Sequence, residues 1–353
     1  MKNNQLHSNF ILNGNSFSTS KELIAFSEGL SKDIYRFCID WFDKKDFVEI
    51  QTSGSTGKPK TIQLKKEFMV NSALATGVFF DLHEDTTALL CMSTNFIAGK
   101  MMLVRAFVLG WNIDVIEPVS NPLENTNKKY DFSAMVPLQL QNSLSQIYRV
   151  EKLIVGGGIV SEQLVIKIQD VPTKIFATFG MTETSTHIAV KQLNGFKNRT
   201  SSEVEKSSYS TLPNVSISKD SRNCLVINAP KVSDVQIVTN DVVKIISKNK
   251  FKWLGRIDHV INSGGIKLHP EEIEKKLAKI IKQRFFVAGV PDANLGEKLI
   301  LVVEGKKTTI ILSKAKSLSR FEMPKAIYFV DAFVETTTKK IQRKKTLDSL
   351  FKA

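Results

Sequence analysis

Phe47–Lys60 reads FVEIQTSGSTGKPK. Apolar residues alternate with polar ones over Phe47–Gln51, which predicts a strand. The nine residues that follow hold two glycines, four hydroxyl side chains and two lysines. Glycine lets backbone turn tightly and approach an anion. Exposed N–H and hydroxyl groups donate to phosphate oxygens, and lysine adds charge. The stretch is not a Walker A loop. Gly54 and Gly57 are three apart, and Pro59 stands where Ser or Thr would hold magnesium. Thr52, Ser53, Gly54, Ser55, Thr56, Gly57 and Lys58 are the candidate phosphate grip. The competing reading is a polar turn between strands.

Outward from this loop, strand and helix patterns alternate. Phe47–Gln51, Ala88–Met92, Asn112–Ile116, Ser133–Val136, Lys152–Val155 and Lys174–Thr178 read as strands. Lys65–Phe80, Ile97–Leu109 and Ser161–Gln169 read as helices. Such alternation predicts an α/β layered fold with strands covered on both faces. Asn198–Asp220 is polar and serine-rich and reads as an exposed loop. Leu225–Asn228, Val235–Thr239 and Val242–Ser247 read as antiparallel strands. A small α+β unit begins near Asp258. Its helix starts at Pro270 with Glu271 and Glu272 in the first turn and runs to about Lys282. Strands are expected at Phe285–Val290, Lys298–Val303 and Ala326–Val330. The division is a large α/β domain, 1–257, and a small α+β domain, 258–353.

The 353 residues suit two or three domains. The chain carries 49 basic and 35 acidic residues, a net charge of +14. From His259 onward there are 19 basic and 10 acidic residues, so the small unit holds most of the excess. Such charge suits polyanionic partners, but no helix-turn-helix, zinc-finger, RRM or KH pattern supports nucleic-acid binding. No apolar run is long enough for a membrane span, and the polar start is unlike a secretory signal. The three cysteines, Cys38, Cys91 and Cys224, are far apart. They argue against a disulfide framework or zinc site and for a reducing cytoplasmic setting.

Three further motifs bear on chemistry. Phe176–Glu183, FATFGMTE, ends a strand with a hydroxyl and a carboxylate. Mg²⁺ needs such hard oxygen ligands and shares them with substrate phosphates. Phe179 could pack on a nucleobase; a plain solvated loop is the alternative. Trp253–Glu274, WLGRIDHVINSGGIKLHPEEIE, joins a strand, a glycine turn and a capped helix. Lys339–Lys345, KKIQRKK, is a basic tail that could equally be a solvated face.

In this order the motifs resemble the acyl-adenylate-forming superfamily of acyl-CoA synthetases, luciferases and peptide-synthetase adenylation domains. TSGSTGKPK resembles its phosphate loop. FGMTE resembles its Tyr-Gly-x-Thr-Glu motif, with Phe179 for Tyr. Thr239-Asn240-Asp241 resembles its Thr-Gly-Asp, with Asn240 for Gly. TTTKKIQRKKTL resembles its C-terminal Gly-Lys-Ile-x-Arg, with Lys339 for Gly. The likeness spans Phe47 to Leu347. NFIAGKMMLVRA, LIVGGGIVSE and FGMTETSTHIAV most resemble the o-succinylbenzoate–CoA ligases of menaquinone biosynthesis, in a short form. The segment before the phosphate loop is short for the superfamily, so an abridged N-terminal subdomain is expected.

The resemblance implies an ATP-dependent acid–thiol ligase using ATP and Mg²⁺, with coenzyme A as cosubstrate. A carboxylate would be adenylated with release of pyrophosphate and then passed to the CoA thiol. Thr182 would donate to the α-phosphate and Glu183 would hold Mg²⁺. Asp241 would accept the ribose hydroxyls, with Arg256 adding donors. Gly157, Gly158, Phe179 and Gly180 would line the nucleotide. Lys340 would bridge the carboxylate and α-phosphate. Asp258 would be the hinge about which the small domain rotates, presenting Lys340 in one step and the Gly264–Gly265 loop for CoA in the other. Phe96 stands where a histidine often precedes the acyl-pocket helix. An o-succinylbenzoate pocket must also neutralise a second carboxylate. Lys100 and Arg105 are five residues apart, about 140° around a helix, so both cannot readily face one pocket. Lys100, nearer the strand end, is the expected partner, with His187 a further lining candidate. Membrane insertion and nucleic acid are not expected, and a homo-oligomer is left open. The alternatives are another acyl-CoA synthetase, a stand-alone adenylation enzyme, or a non-catalytic nucleotide binder.

Overall fold

The computed structural model describes residues 6–51, 61–196, 208–336 and 341–351. The phosphate-loop residues 52–60 and Lys340 lie outside these. Strands β1 (Ile11–Leu12), β2 (Asn15–Ser16), β5 (Thr87–Leu90), β6 (Asn112–Val115), β7 (Tyr130–Met135), β8 (Val150–Val155), β9 (Lys174–Gly180) and β10 (His187–Gln192) join one large sheet. It continues through β11 (Tyr209–Thr211), β12 (Ser216–Lys219), β13 (Cys224–Asn228), β14 (Ile237–Ser247) and β15 (Lys250–Arg256). The order is β12-β13-β14-β15-β11-β10-β9-β8-β7-β5-β6-β1-β2. Its centre is parallel: β6 pairs β5, β5 pairs β7, β7 pairs β8 and β8 pairs β9. From β9 to β12 every pairing is antiparallel.

The parallel centre is covered by helices because each parallel connection needs a crossover. Helix α1 (Ser20–Glu28) is capped by the Thr19 side chain, and α2 (Lys32–Phe42) by Ser31. Helices α3 (Lys66–Phe80) and α4 (Ile97–Leu109) follow. Phe37, Trp41, Phe107, Trp111 and Phe132 fill one core against this face. Leu89, Met135, Leu153 and Ile175 build a second core with helices α5 (Pro137–Asn142) and α6 (Glu162–Lys167). At about 25 cal/mol per Å² of apolar surface, these aromatic-rich cores supply most of the favourable term in folding.

Four sequence expectations are corrected. Phe47–Gln51, β3, does not enter the large sheet. It pairs antiparallel with β4 (Thr61–Lys65) as a separate hairpin, Gln51 opposite Thr61. The described part of Asn198–Asp220 is not a loop throughout, since β11 and β12 fall within it. Val235–Thr239 and Val242–Ser247 merge into the single strand β14, its interruption absorbed by register shifts against β15. The Pro270 helix stops at Leu277, five residues early. Ala278 closes it by donating its N–H to the Glu274 carbonyl.

The large sheet's last strand ends at Arg256, and a five-stranded sheet begins at β16 (Ile261–Ser263). It contains β17 (Ile266–Leu268), β18 (Phe285–Asp292), β19 (Gly296–Glu304) and β20 (Ala326–Val330), with β20 parallel to β19. The helix Pro270–Leu277 packs its Ile273 and Leu277 on this sheet's core. Among the described residues, no helix is long and apolar enough to cross a membrane.

Candidate active site

Strands β5, β7, β8 and β9 run the same way, so their carboxyl ends share one edge of the sheet. The chain leaves β5 toward β6 on one side and returns to β7 on the other. Such a reversal opens a crevice at the strand ends where ligands bind in α/β sheets. Phe96 follows β5, Gly157 and Gly158 follow β8, and Thr182 and Glu183 follow β9. Thr182–Thr184 form a 3₁₀ turn. The Thr184 hydroxyl locks it by donating to the Thr186 carbonyl at 2.7 Å and accepting the Met181 N–H at 3.1 Å. Glycine is obligatory at 180: a Cβ there would lie 2.2 Å from the Thr186 carbonyl oxygen.

Strand β4 packs on the Thr182–Thr184 turn. The hairpin that carries the glycine-rich stretch is therefore rooted beside the FGMTE motif. Glu183 is exposed and has no hydrogen-bond or ion-pair partner among the described residues. An exposed hard-oxygen donor of this kind suits Mg²⁺, whose other ligands would then be phosphate oxygens and water. No cluster of three metal-ligating side chains occurs among the described residues.

Phe179 points into an aromatic cluster, with ring centroids 5.6 Å from Tyr209 and 5.2 Å from Phe251. It thus braces β9 against β11 and β15. Asp241 is buried on β14 and accepts from the Trp253 indole N–H at 2.8 Å. Burial pushes its carboxyl pKa upward. Arg256, its register partner, instead grips Asp258 at 2.5 Å. The Asn240 amide donates to the same Asp258 carboxylate at 3.3 Å. Asp258 sits in the 3₁₀ turn Ile257–His259 between the two sheets. Gly264 and Gly265 form the two-residue turn between β16 and β17, both with positive φ, as such hairpins require.

The structure separates Lys100 from Arg105. Lys100 turns toward α2, its Nζ 4.8 Å from the Phe37 ring centre. Its pKa is lowered by burial, against the pull of Asp40 and Asp33. Lys100 is not among the residues lining the pocket of about 250 Å³ that holds Asp33 and Glu117, two carboxylates that would repel an anion. Arg105 is 1% exposed, and no carboxylate pairs with it among the described residues. Its guanidinium approaches Thr76 Oγ1 at 3.3 Å, Thr186 Oγ1 at 3.4 Å and His187 Nδ1 at 3.5 Å. Burial drives its pKa down to about 9. His187 lies opposite Gly180, is buried, and is held well below the usual histidine range by burial and then by Arg105. It also lines a pocket of about 160 Å³ between α3 and β10. Lys100 thus faces α2, whereas Arg105 lies beside the FGMTE turn with no carboxylate partner among the described residues.

Sequence reasoning also missed Arg343. It forms an ion pair with Glu274 at 2.9 Å and stacks on Phe286. Glu335 forms an isolated antiparallel bridge with Ile341, and the Arg343 guanidinium donates to the Val287 carbonyl of β18.

Together these features set the carboxyl ends of parallel strands beside the β3–β4 hairpin and an exposed carboxylate. The chain belongs to the AMP-binding enzyme family, whose sequence profile matches residues 11–217. It is an AMP-forming ligase of the acyl-CoA synthetase type. It is similar to an acyl-CoA synthetase (AMP-forming)/AMP-acid ligase II-like protein from Dyadobacter fermentans. The identity is 37% and the TM-score 0.59, over 90% of this chain and 93% of that one. It is 24% identical over 360 residues to the 2-succinylbenzoate–CoA ligase of Staphylococcus aureus (strain Newman), covering 94% of this chain and 72% of the relative. Its fold matches O-succinylbenzoate coenzyme A synthetase from Bacillus subtilis, solved with ATP and magnesium, at TM-score 0.73 and 18% identity. That match covers 94% of this chain and 82% of the other.

Proposed function

We propose that the chain adenylates o-succinylbenzoate with ATP and passes the acyl group to coenzyme A. The observation that carries this reading is Arg105. A buried guanidinium without a counter-ion is costly, and an anionic ligand group would relieve the cost. A dicarboxylate offers one carboxylate to react and a second to meet Arg105. The 2-succinylbenzoate–CoA ligases among its relatives act on such an acid by name.

A carboxylate is a poor electrophile toward a thiol. In the first step its oxygen attacks the α-phosphorus of ATP and pyrophosphate leaves. In the second the CoA thiol loses its proton, attacks the acyl carbon, and AMP leaves. Thr52, Ser53, Ser55, Thr56 and Lys58 grip the β- and γ-phosphates, with Gly54 and Gly57 giving the loop its turns. Thr182 donates to the α-phosphate, and Lys340 bridges that phosphate and the reacting carboxylate. Glu183 would hold Mg²⁺, which when bound neutralises phosphate charge. Asp241 accepts from the ribose hydroxyls, and Gly157–Gly158 admit the nucleotide close to the backbone.

The small unit, 258–353, turns about Asp258 between the steps, exchanging Lys340 for the Gly264–Gly265 turn. Polar contacts between the units in this arrangement include Lys252–Glu272 at 3.0 Å, Lys275–Glu162 at 3.9 Å and the Gln163 amide donating to the Ile281 carbonyl at 3.4 Å. Partly exposed pairs of this kind are each worth at most about 1 kcal/mol, weak enough for such a motion.

The test is ATP–pyrophosphate exchange with o-succinylbenzoate, benzoate, succinate and medium-chain fatty acids, with Lys340→Ala as control. Exchange with o-succinylbenzoate alone, lost in the variant, is the expected result. Exchange with another acid overturns the substrate while keeping the chemistry. No exchange with any of them overturns the proposal.

A further inference from the structure

Strand β15 carries a bulge opposite Val242–Val243, next to Asp241. Asp241 pairs with Arg256 and Val242 with Gly255, but Val243 pairs with Trp253, leaving Leu254 unmatched. A bulge redirects the side chains beside it. Here it sends Arg256 to Asp258 and lets the Trp253 indole reach diagonally to Asp241. The Trp253 Nε1–H donates to Oδ1 at 2.8 Å, and no other described side chain hydrogen-bonds this carboxylate. The Asp241 backbone N–H is already taken by the Thr239 hydroxyl at 3.1 Å. Val243 and Phe251, in the core that Trp253 packs against, hold the indole in place.

We infer that Trp253 is a positioning residue for the nucleotide: its indole N–H fixes the Asp241 carboxylate in the orientation that receives the ribose hydroxyls. The inference rests on the proposed role of Asp241. Without the anchor, a carboxylate that is 9% exposed loses its one side-chain donor. It then rotates to find another partner, and its affinity for a proton rises further. Phenylalanine would keep the ring packing and supply no N–H. The residue therefore acts on ribose recognition through Asp241 and touches neither phosphate nor acid.

The test compares MgATP with Mg-2′,3′-dideoxy-ATP by titration calorimetry on the full chain. The native protein is expected to prefer ATP by about tenfold or more, the worth of a charge-assisted hydrogen bond. Trp253→Phe is expected to weaken MgATP about tenfold and the dideoxy nucleotide less than about twofold, erasing the preference. Equal weakening of both nucleotides, or no change in either, overturns the inference, because a merely structural role cannot sense the hydroxyls. If the native protein shows no preference, the ribose role of Asp241 fails and takes the inference with it. Should Trp253→Phe melt early, 3-benzothienylalanine at position 253 repeats the test. It keeps the indole shape with sulfur for N–H.

Discussion

Replacing Arg105 by methionine should stabilise the protein while removing its preference for a dicarboxylate. Burial lowers the Arg105 pKa from the usual guanidinium range to about 9. At 1.36 kcal/mol per pKa unit, this corresponds to roughly 5 kcal/mol disfavouring the charged side chain in the fold. Its contacts to Thr76, Thr186 and His187, at 3.3 to 3.5 Å, return at most about 1 kcal/mol each. Methionine is apolar, flexible and close enough in length to fill most of the space. The expected net gain is on the order of 2 kcal/mol, a rise of ~4–8 °C in melting temperature. The same substitution should cut kcat/KM for o-succinylbenzoate by about a hundredfold or more, since it leaves the second carboxylate unpaired. The pH dependence has a definite sign. A base with a lowered pKa in the fold binds fewer protons there than when unfolded. Its unfavourable contribution is therefore complete below about pH 9 and fades as pH rises above that toward the free guanidinium range. The stability difference between Arg105→Met and the native protein should shrink over that window. Differential scanning fluorimetry from pH 7 to 10, with pyrophosphate exchange on the same samples, measures both. A variant that melts several degrees lower, or that retains its activity on the dicarboxylate, refutes the reasoning.

Other sites give separable outcomes. Gly180→Ala drives a Cβ to 2.2 Å from the Thr186 carbonyl. It should cost about 3 kcal/mol or more and lower the melting temperature sharply, because the clash is with backbone. Arg343→Met breaks the ion pair with Glu274 and frees the segment bearing Lys340. Pyrophosphate exchange should fall about tenfold or more in kcat with little change in KM for ATP, read by steady-state kinetics. Asn240→Gly removes the amide that donates to Asp258. Stability should change by less than about 1 kcal/mol, whereas single-turnover rates of adenylation and thioester formation should shift relative to one another.

Much of the fold was legible because buried parallel strands and their crossovers are long, regular patterns. Ile97–Leu109 was read to the residue, and Phe47–Gln51 was found as a strand. Its partner was not, because β4 lies beyond the glycine-rich stretch and pairs by tertiary placement. Short strands such as β11 and β12, of three and four residues, carry too few alternations to stand out from a serine-rich run. Thr182 and Glu183 were nameable because they directly follow a strand, whereas Asp241 was named through the resemblance of Thr239-Asn240-Asp241 to the superfamily's Thr-Gly-Asp. Trp253 was visible only as a letter, since its contact with Asp241 depends on a bulge that pattern reading does not register.

The choice between Lys100 and Arg105 shows where helical periodicity stops. A helix at the protein surface has one apolar stripe, and the stripe tells which cations face inward. Helix α4 has none: every residue from Gly99 to Phe107 is buried, and the helix is apolar all round. Both cations are therefore inside, on different faces. What separates them is the company on each face. Lys100 meets an aromatic ring and the field of the α2 carboxylates Asp33 and Asp40, which offset part of the cost of its burial. Arg105 meets two hydroxyls, a histidine and a thioether, and no carboxylate among the described residues. None of those neighbours lies within three residues of it except Met102. The lack of a carboxylate beside Arg105 among the described residues is thus a property of the packing of α3, α4 and β10 together, and no window of sequence contains it.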